Sequence, residues 1–161
     1  MILYFLRHGR AEQHSDGPDA ERKLTKRGTQ ELKGAASIWK RLKLRPEVIL
    51  TSPLVRAVQT AEMARAALEV KTDPETDDRL QPGATWAAMA QAIADHHEAA
   101  RVMFVGHNPD FESAIEVLSG AGAVRLRPGG VACLEFPGVP EPGQGEIAWL
   151  LDPDLYLEAG G

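Results

Sequence analysis

Three short apolar runs constrain this chain more than any other feature. They are "ILYFL" at 2–6, "EVIL" at 47–50 and "VMFV" at 102–105. None alternates polar with apolar residues, so a strand at each place must be buried on both faces. The segments between them have a helical period instead. Thr25 is a candidate N-cap, and Leu32, Ala35, Ala36, Trp39 and Leu42 follow at helical spacing, which predicts a helix near 26–43 with Pro46 as its breaker. Ser52 and Pro53 read as N-cap and first position of a second helix reaching about Leu68, followed by a short strand near Val70. "TWAAMAQAIADHH" predicts a third helix with Trp86, Met89, Ala90 and Ile93 on one face. A fourth follows, with Asn108 as N-cap, Pro109 in the first turn and Gly120 as its stop. "VACLEF" and "IAWLL" are strands separated by a Gly/Pro-rich turn, and "YLEAGG" reads as a loose tail.

Strands alternating with helices predict an α/β fold, a three-layer α/β/α sandwich around a mostly parallel sheet. A length of 161 residues fits one domain, 1–161. Net charge is −5 and there is no Lys/Arg block, so no nucleic-acid partner is expected. No apolar stretch is long enough to span a bilayer, so no membrane partner is expected either. Cys133 is the single cysteine, which excludes an intrachain disulfide and a four-cysteine zinc site. The apolar N-terminus has no basic leader, and a cytoplasmic protein is expected.

In such sheets ligands bind beyond the carboxyl ends of the strands. After "ILYFL" come Arg7, His8 and Gly9; after "EVIL" come Thr51, Ser52 and Pro53, with Arg56 in the first helical turn; after "VMFV" come Gly106, His107 and Asn108. Two guanidiniums, two imidazoles and two helix N-termini are thus expected at one edge, a set that suits a phosphate dianion. A neutral imidazole there can act as a nucleophile. Nearby arginines would hold it neutral and stabilise charge on a transferring phosphoryl group. Gly9 would let the backbone approach the phosphate closely.

"LRHGRA" at 6–11, "LTKRG" at 24–28, "TSPLVRAVQTA" at 51–61 and "VGHNP" at 105–109 together resemble the histidine phosphatase superfamily, the clan of phosphoglycerate mutases and histidine acid phosphatases. The short length resembles its phosphohistidine phosphatase (SixA) branch. The resemblance implies a phosphoglycerate mutase-like fold without a large cap insertion. It implies that His8 is the nucleophile, that Arg7 and Arg56 clamp phosphate, and that His107 binds and stabilises the transferring group. It implies no cofactor and no metal. Asn108, next to His107, is a further candidate substrate-binding residue. The implied reaction is phosphatase hydrolysis through a phosphohistidine intermediate.

Two departures bear on the substrate. Arg10 stands where many members carry an acidic residue, and Asn108 stands where the acid phosphatase branch has its proton donor, an aspartate. The mutase branch draws its acid from a mid-chain loop, here "PETDDRLQPG", which leaves Asp77 or Asp78 as candidates. A phosphohistidine leaves more readily than an alkoxide and needs less acid help. The short interval between Arg56 and His107 leaves little room for a cap, so the site should be open. Both points favour phosphohistidine on a protein as the substrate. Small phosphate esters, nucleotide-linked metabolites, or a catalytically weak phosphate-binding regulatory role are the alternatives. His14 is a rim residue or idle, His96 and His97 read as solvated, and Cys133 as a small core residue.

Overall fold

The computed structural model describes residues 1–155; the expected loose tail lies outside the described residues. Six strands form one sheet in the order β3-β2-β4-β1-β5-β6. They are β1 (Ile2–Arg7), β2 (Val48–Thr51), β3 (Glu75–Thr76), β4 (Arg101–Gly106), β5 (Val131–Glu135) and β6 (Glu146–Leu151). The first four are parallel, and β5 and β6 run antiparallel beside β1. Among the described residues, four helices pack on the sheet: α1 (Lys26–Arg41), α2 (Val55–Leu68), α3 (Trp86–Ala94) and α4 (Asp110–Ser119).

The pleat explains the layers. Successive residues of β1 point to opposite faces. Leu3 and Phe5 join Phe104, Met89, Ile93 and Phe111 beneath α3 and α4. Tyr4 and Leu6 join Val105, Leu32, Trp39 and Ala61 beneath α1 and α2. Both faces are therefore dry, and this is why the three runs lack polar alternation. Cys133 is buried in the second of these cores. No described helix is long and apolar enough to cross a membrane.

Several expected boundaries move, each for a physical reason. Helix α1 starts as predicted, with the Thr25 hydroxyl accepting from the Gly28 N–H at 2.9 Å. It ends at Arg41, so Leu42 is exposed and Leu44 takes the buried place after a left-handed turn at Lys43. Helix α2 starts at Val55, not Pro53, because the Ser52 N–H still donates to Val105 O and keeps the chain extended. The strand expected near Val70 is the two-residue β3 at Glu75–Thr76; only there is the chain level with Leu50 and Thr51 for pairing. Helix α3 stops at Ala94 and the chain turns through Asp95–Glu98. Helix α4 is capped by Pro109, and Asn108 turns its side chain elsewhere.

Candidate active site

The carboxyl ends of β1, β2 and β4 open into a cavity of about 680 Å³. Arg7, His8, Arg56, His107 and Asn108 all line it, as do Arg10, Asp19, Arg22 and Arg27. Strand register brings the two histidines together. Arg7 pairs with Gly106 across β1 and β4, so the next residue on each strand is a histidine. Their ring centroids lie 5.2 Å apart.

His8 is held by two contacts. Its Nδ1 lies 2.7 Å from Gly9 O, a pure acceptor, so the proton sits on Nδ1 and Nε2 carries the free lone pair. Arg56 Nε donates towards that Nε2 at 3.4 Å. Burial, and then the charges of Arg56 and Arg7, push the His8 pKa down to about 4, against the carbonyl of Gly9, which acts the other way. His8 is therefore a neutral imidazole at physiological pH.

His107 is 4% exposed, and burial followed by the neighbouring His8 and Arg56 pushes its pKa down to about 3. Its Nε2 lies 2.7 Å from Ser52 Oγ. The same hydroxyl oxygen accepts from the Leu54 N–H, and its own proton can be given to His107 Nε2. When Ser52 donates to Nε2 the proton of His107 lies on Nδ1, which is buried without a protein partner. Ser52 orients the second imidazole and does not cap a helix, and only the pairing of β2 with β4 reveals this.

Each guanidinium is braced from outside its own strand or helix. Arg7 donates through Nη1 to Leu126 O at 2.9 Å, and its Nε is buried without a partner. Arg56 donates to Asp19 O at 2.9 Å and to Asp19 Oδ2 at 3.2 Å. Thr60 ties α2 to the loop after His8: its hydroxyl accepts from the Gly9 N–H and donates to Arg56 O. Gly9 serves packing rather than phosphate approach, since a Cβ there would meet Leu32 and Leu24 in the interior.

Other expected site residues lie differently. Asn108 lines the cavity, but its amide donates to Leu126 O at 2.6 Å. Asp77 is forked to Arg79, which holds its carboxyl below the usual range, and Asp78 is exposed; neither lines the cavity. Neither is placed to donate a proton there. The carboxylate that does line it is Asp19, in a short 3-10 helix within a segment that reads as plain loop in the sequence. Hydrogen bonds from Arg22 and Arg56 keep it ionised. His96 pairs with Glu75 at 3.3 Å instead of standing free.

A neutral imidazole flanked by two arginines and a second imidazole, at the carboxyl edge of a mostly parallel sheet, is an arrangement suited to phosphoryl transfer. The chain belongs to the histidine phosphatase superfamily (branch 1), whose family model matches residues 3–126, and it is a phosphatase, a hydrolase with the phosphoglycerate mutase-like fold. An uncharacterized protein of Picosynechococcus sp. is 39% identical over 123 residues, covering 74% of this chain and 73% of that one. The structure of the protein histidine phosphatase SixA complexed with tungstate is similar, with a TM-score of 0.85 and 25% identity over 96% of this chain and 99% of that one. A protein of Agrobacterium tumefaciens assigned as phosphohistidine phosphatase SixA gives a TM-score of 0.80 and 26% identity over 94% and 97% of the two chains.

Proposed function

We propose that this phosphatase removes the phosphoryl group from phosphohistidine on a protein, with His8 as the transient acceptor. The observation that carries this reading is the His8 Nδ1 contact to Gly9 O, which leaves Nε2 unprotonated inside a cluster of cations. In the first step the Nε2 lone pair forms a bond to phosphorus and the bond to the leaving group breaks. Arg7 and Arg56 bind the phosphoryl oxygens, and His107 donates to them through Nδ1. In the second step water attacks phosphorus, the Nε2–P bond breaks, and inorganic phosphate leaves.

The leaving group argues for the substrate. An alkoxide needs a proton donor, yet Asp19 is ionised and Asn108 has no acidic proton. A phosphohistidine protonated on its other ring nitrogen departs as neutral imidazole and takes no proton from the enzyme. The similarity to the protein histidine phosphatase SixA supports the same choice. Small phosphate esters with good leaving groups are the competing substrates.

Brief incubation of the enzyme with a phosphohistidine protein, followed by quenching in alkali, should trap an acid-labile phosphoryl group on His8. His8→Ala should lose the label and about 10⁴-fold or more in turnover. Unchanged hydrolysis by His8→Ala would refute the mechanism. A higher kcat/KM for metabolite esters than for the phosphoprotein would refute the substrate.

A further inference from the structure

Arg10 takes no part in the mechanism above. Its Nε donates to both oxygens of Glu31, at 2.9 and 3.1 Å. Arg27 Nε donates to the same carboxylate at 3.0 Å. Glu31 is only 2% exposed, whereas Arg10 and Arg27 are 36% and 65% exposed and both line the catalytic cavity. One buried carboxylate therefore anchors two guanidiniums by their Nε atoms. Among the described residues, the hydrogen bonds of both run through Nε alone, so the Nη groups, the fork that binds oxyanions in pairs, are left for another partner. The cluster keeps a net charge of +1.

A second observation points the same way. The first turn of α1 holds Lys26 and Arg27 and no acidic residue. Cations at a helix N-terminus oppose the dipole, and an external anion would relieve this. Backbone bonding fixes the parts to each other: Arg10 O accepts from the Thr25 N–H at 2.9 Å, so the loop after His8 is stitched to the start of α1. The cavity thus has a phosphoryl end at Arg7 and Arg56 and a separate cationic wall at Arg10 and Arg27.

We propose that Arg10 and Arg27, tethered by Glu31, form a second anion subsite that binds a carboxylate of the substrate next to the phosphoryl group being transferred. The source of the anion rests on the reading given under Proposed function: it is an acidic side chain flanking the phosphohistidine. The subsite itself needs only a substrate with a second negative group. It would favour acidic protein surfaces even though the chain as a whole is acidic, because the attraction is local and the net charge of −5 is spread elsewhere.

The test uses phosphoserine peptides flanked by glutamates or by glutamines as competitive inhibitors of aryl phosphate turnover. In the intact enzyme the glutamate peptide should inhibit about tenfold more tightly, the scale of one charge-assisted contact. Arg27→Gln should reduce that ratio. Replacing Arg10, Arg27 and Glu31 together by Gln should bring it to about one without leaving a buried carboxylate unpaired. Equal inhibition by the two peptides in the intact enzyme, or a preference that survives the triple replacement, would overturn the subsite. Turnover of a phosphohistidine protein is measured separately. If that fails while the inhibition ratio holds, the phosphoprotein reading falls and the subsite stands.

Discussion

The two halves of the sheet contribute to the site in different ways. The parallel half, β3-β2-β4-β1, delivers every side chain proposed for chemistry, because β1, β2 and β4 end at one edge and their next residues are forced there. The antiparallel β5 runs the other way, so the chain arrives at that edge before the strand begins. It contributes main chain: Leu126 O accepts from Arg7 and from Asn108, while the Gly129 N–H donates to Arg7 O and His8 O. Side chains proposed for catalysis come from strands that end at the site, and the backbone brace comes from the strand that starts there. Substitutions should therefore act on rate in the first half and on stability in the second.

The largest break in that comparison is a cation deletion in the parallel half. Arg56→Ala should lower kcat/KM by about 10²–10³-fold, the scale of removing one charge-stabilising donor. Its effect on folding should be smaller, because Asp19, its ionic partner, has a side chain 62% exposed and is not stranded in the interior. Arg7→Ala should behave similarly in rate. Leu126→Ala is the matching change on the other side. Its side chain is fully buried in the core, so about 2–5 kcal/mol of stability should go, while the carbonyl that braces Arg7 remains. Steady-state kinetics beside urea unfolding of the variants separates the two kinds of loss. If Leu126→Ala cut the rate of the folded enzyme as deeply as Arg56→Ala, the division of labour would be wrong.

A smaller effect concerns pH. Both imidazoles belong to the parallel half and both titrate below the ordinary histidine value of 6.5, His8 near 4 and His107 near 3. The unfolded chain therefore binds more protons than the folded one across the interval between. Stability is complete above about pH 6.5 and is lost as the pH falls towards about 4. The melting temperature should drop over that range, and less so in His107→Gln. The kcat/KM profile, corrected for the ionisation of the substrate, should stay level from neutrality down to about pH 5 and then fall as His8 Nε2 takes a proton. An acid limb centred near 6.5 would mean that His8 is not held neutral.

The sequence exposed the parallel half more fully than the antiparallel half, and the reason is physical. Unbroken apolar runs mark strands buried on both faces, and the residues that follow such strands must lie at one edge. That logic places Arg7, His8, Arg56 and His107 together from letters alone. It misses groups brought in by folding over long sequence distances. Asp19 and Arg22 sit in a polar stretch with no period, and the Leu126 carbonyl has no side-chain signature. Ser52 was misread because Ser-Pro is a good helix start; the competing fact, its strand pairing with Val105, is tertiary. The link of Arg10 to Glu31 spans 21 residues and joins a loop to a helix, so no local pattern in the sequence announces it.

The finest test lies where the halves meet. Asn108 follows β4, yet its amide reaches across to Leu126 O ahead of β5. Removing it with Asn108→Ala deletes one hydrogen bond but leaves that carbonyl its bond from Arg7 Nη1, so about 1 kcal/mol of stability should be lost and kcat/KM should fall less than about tenfold. Asn108→Asp is the informative partner. It would set a carboxylate oxygen against the Leu126 carbonyl, acceptor against acceptor, and should cost more stability than alanine despite its nearly identical shape. Guanidinium chloride unfolding of the two variants decides the order. If aspartate proved as stable as asparagine, the side chain would be free to turn into the cavity, and the residue would belong with the chemistry of β4 rather than with the brace before β5.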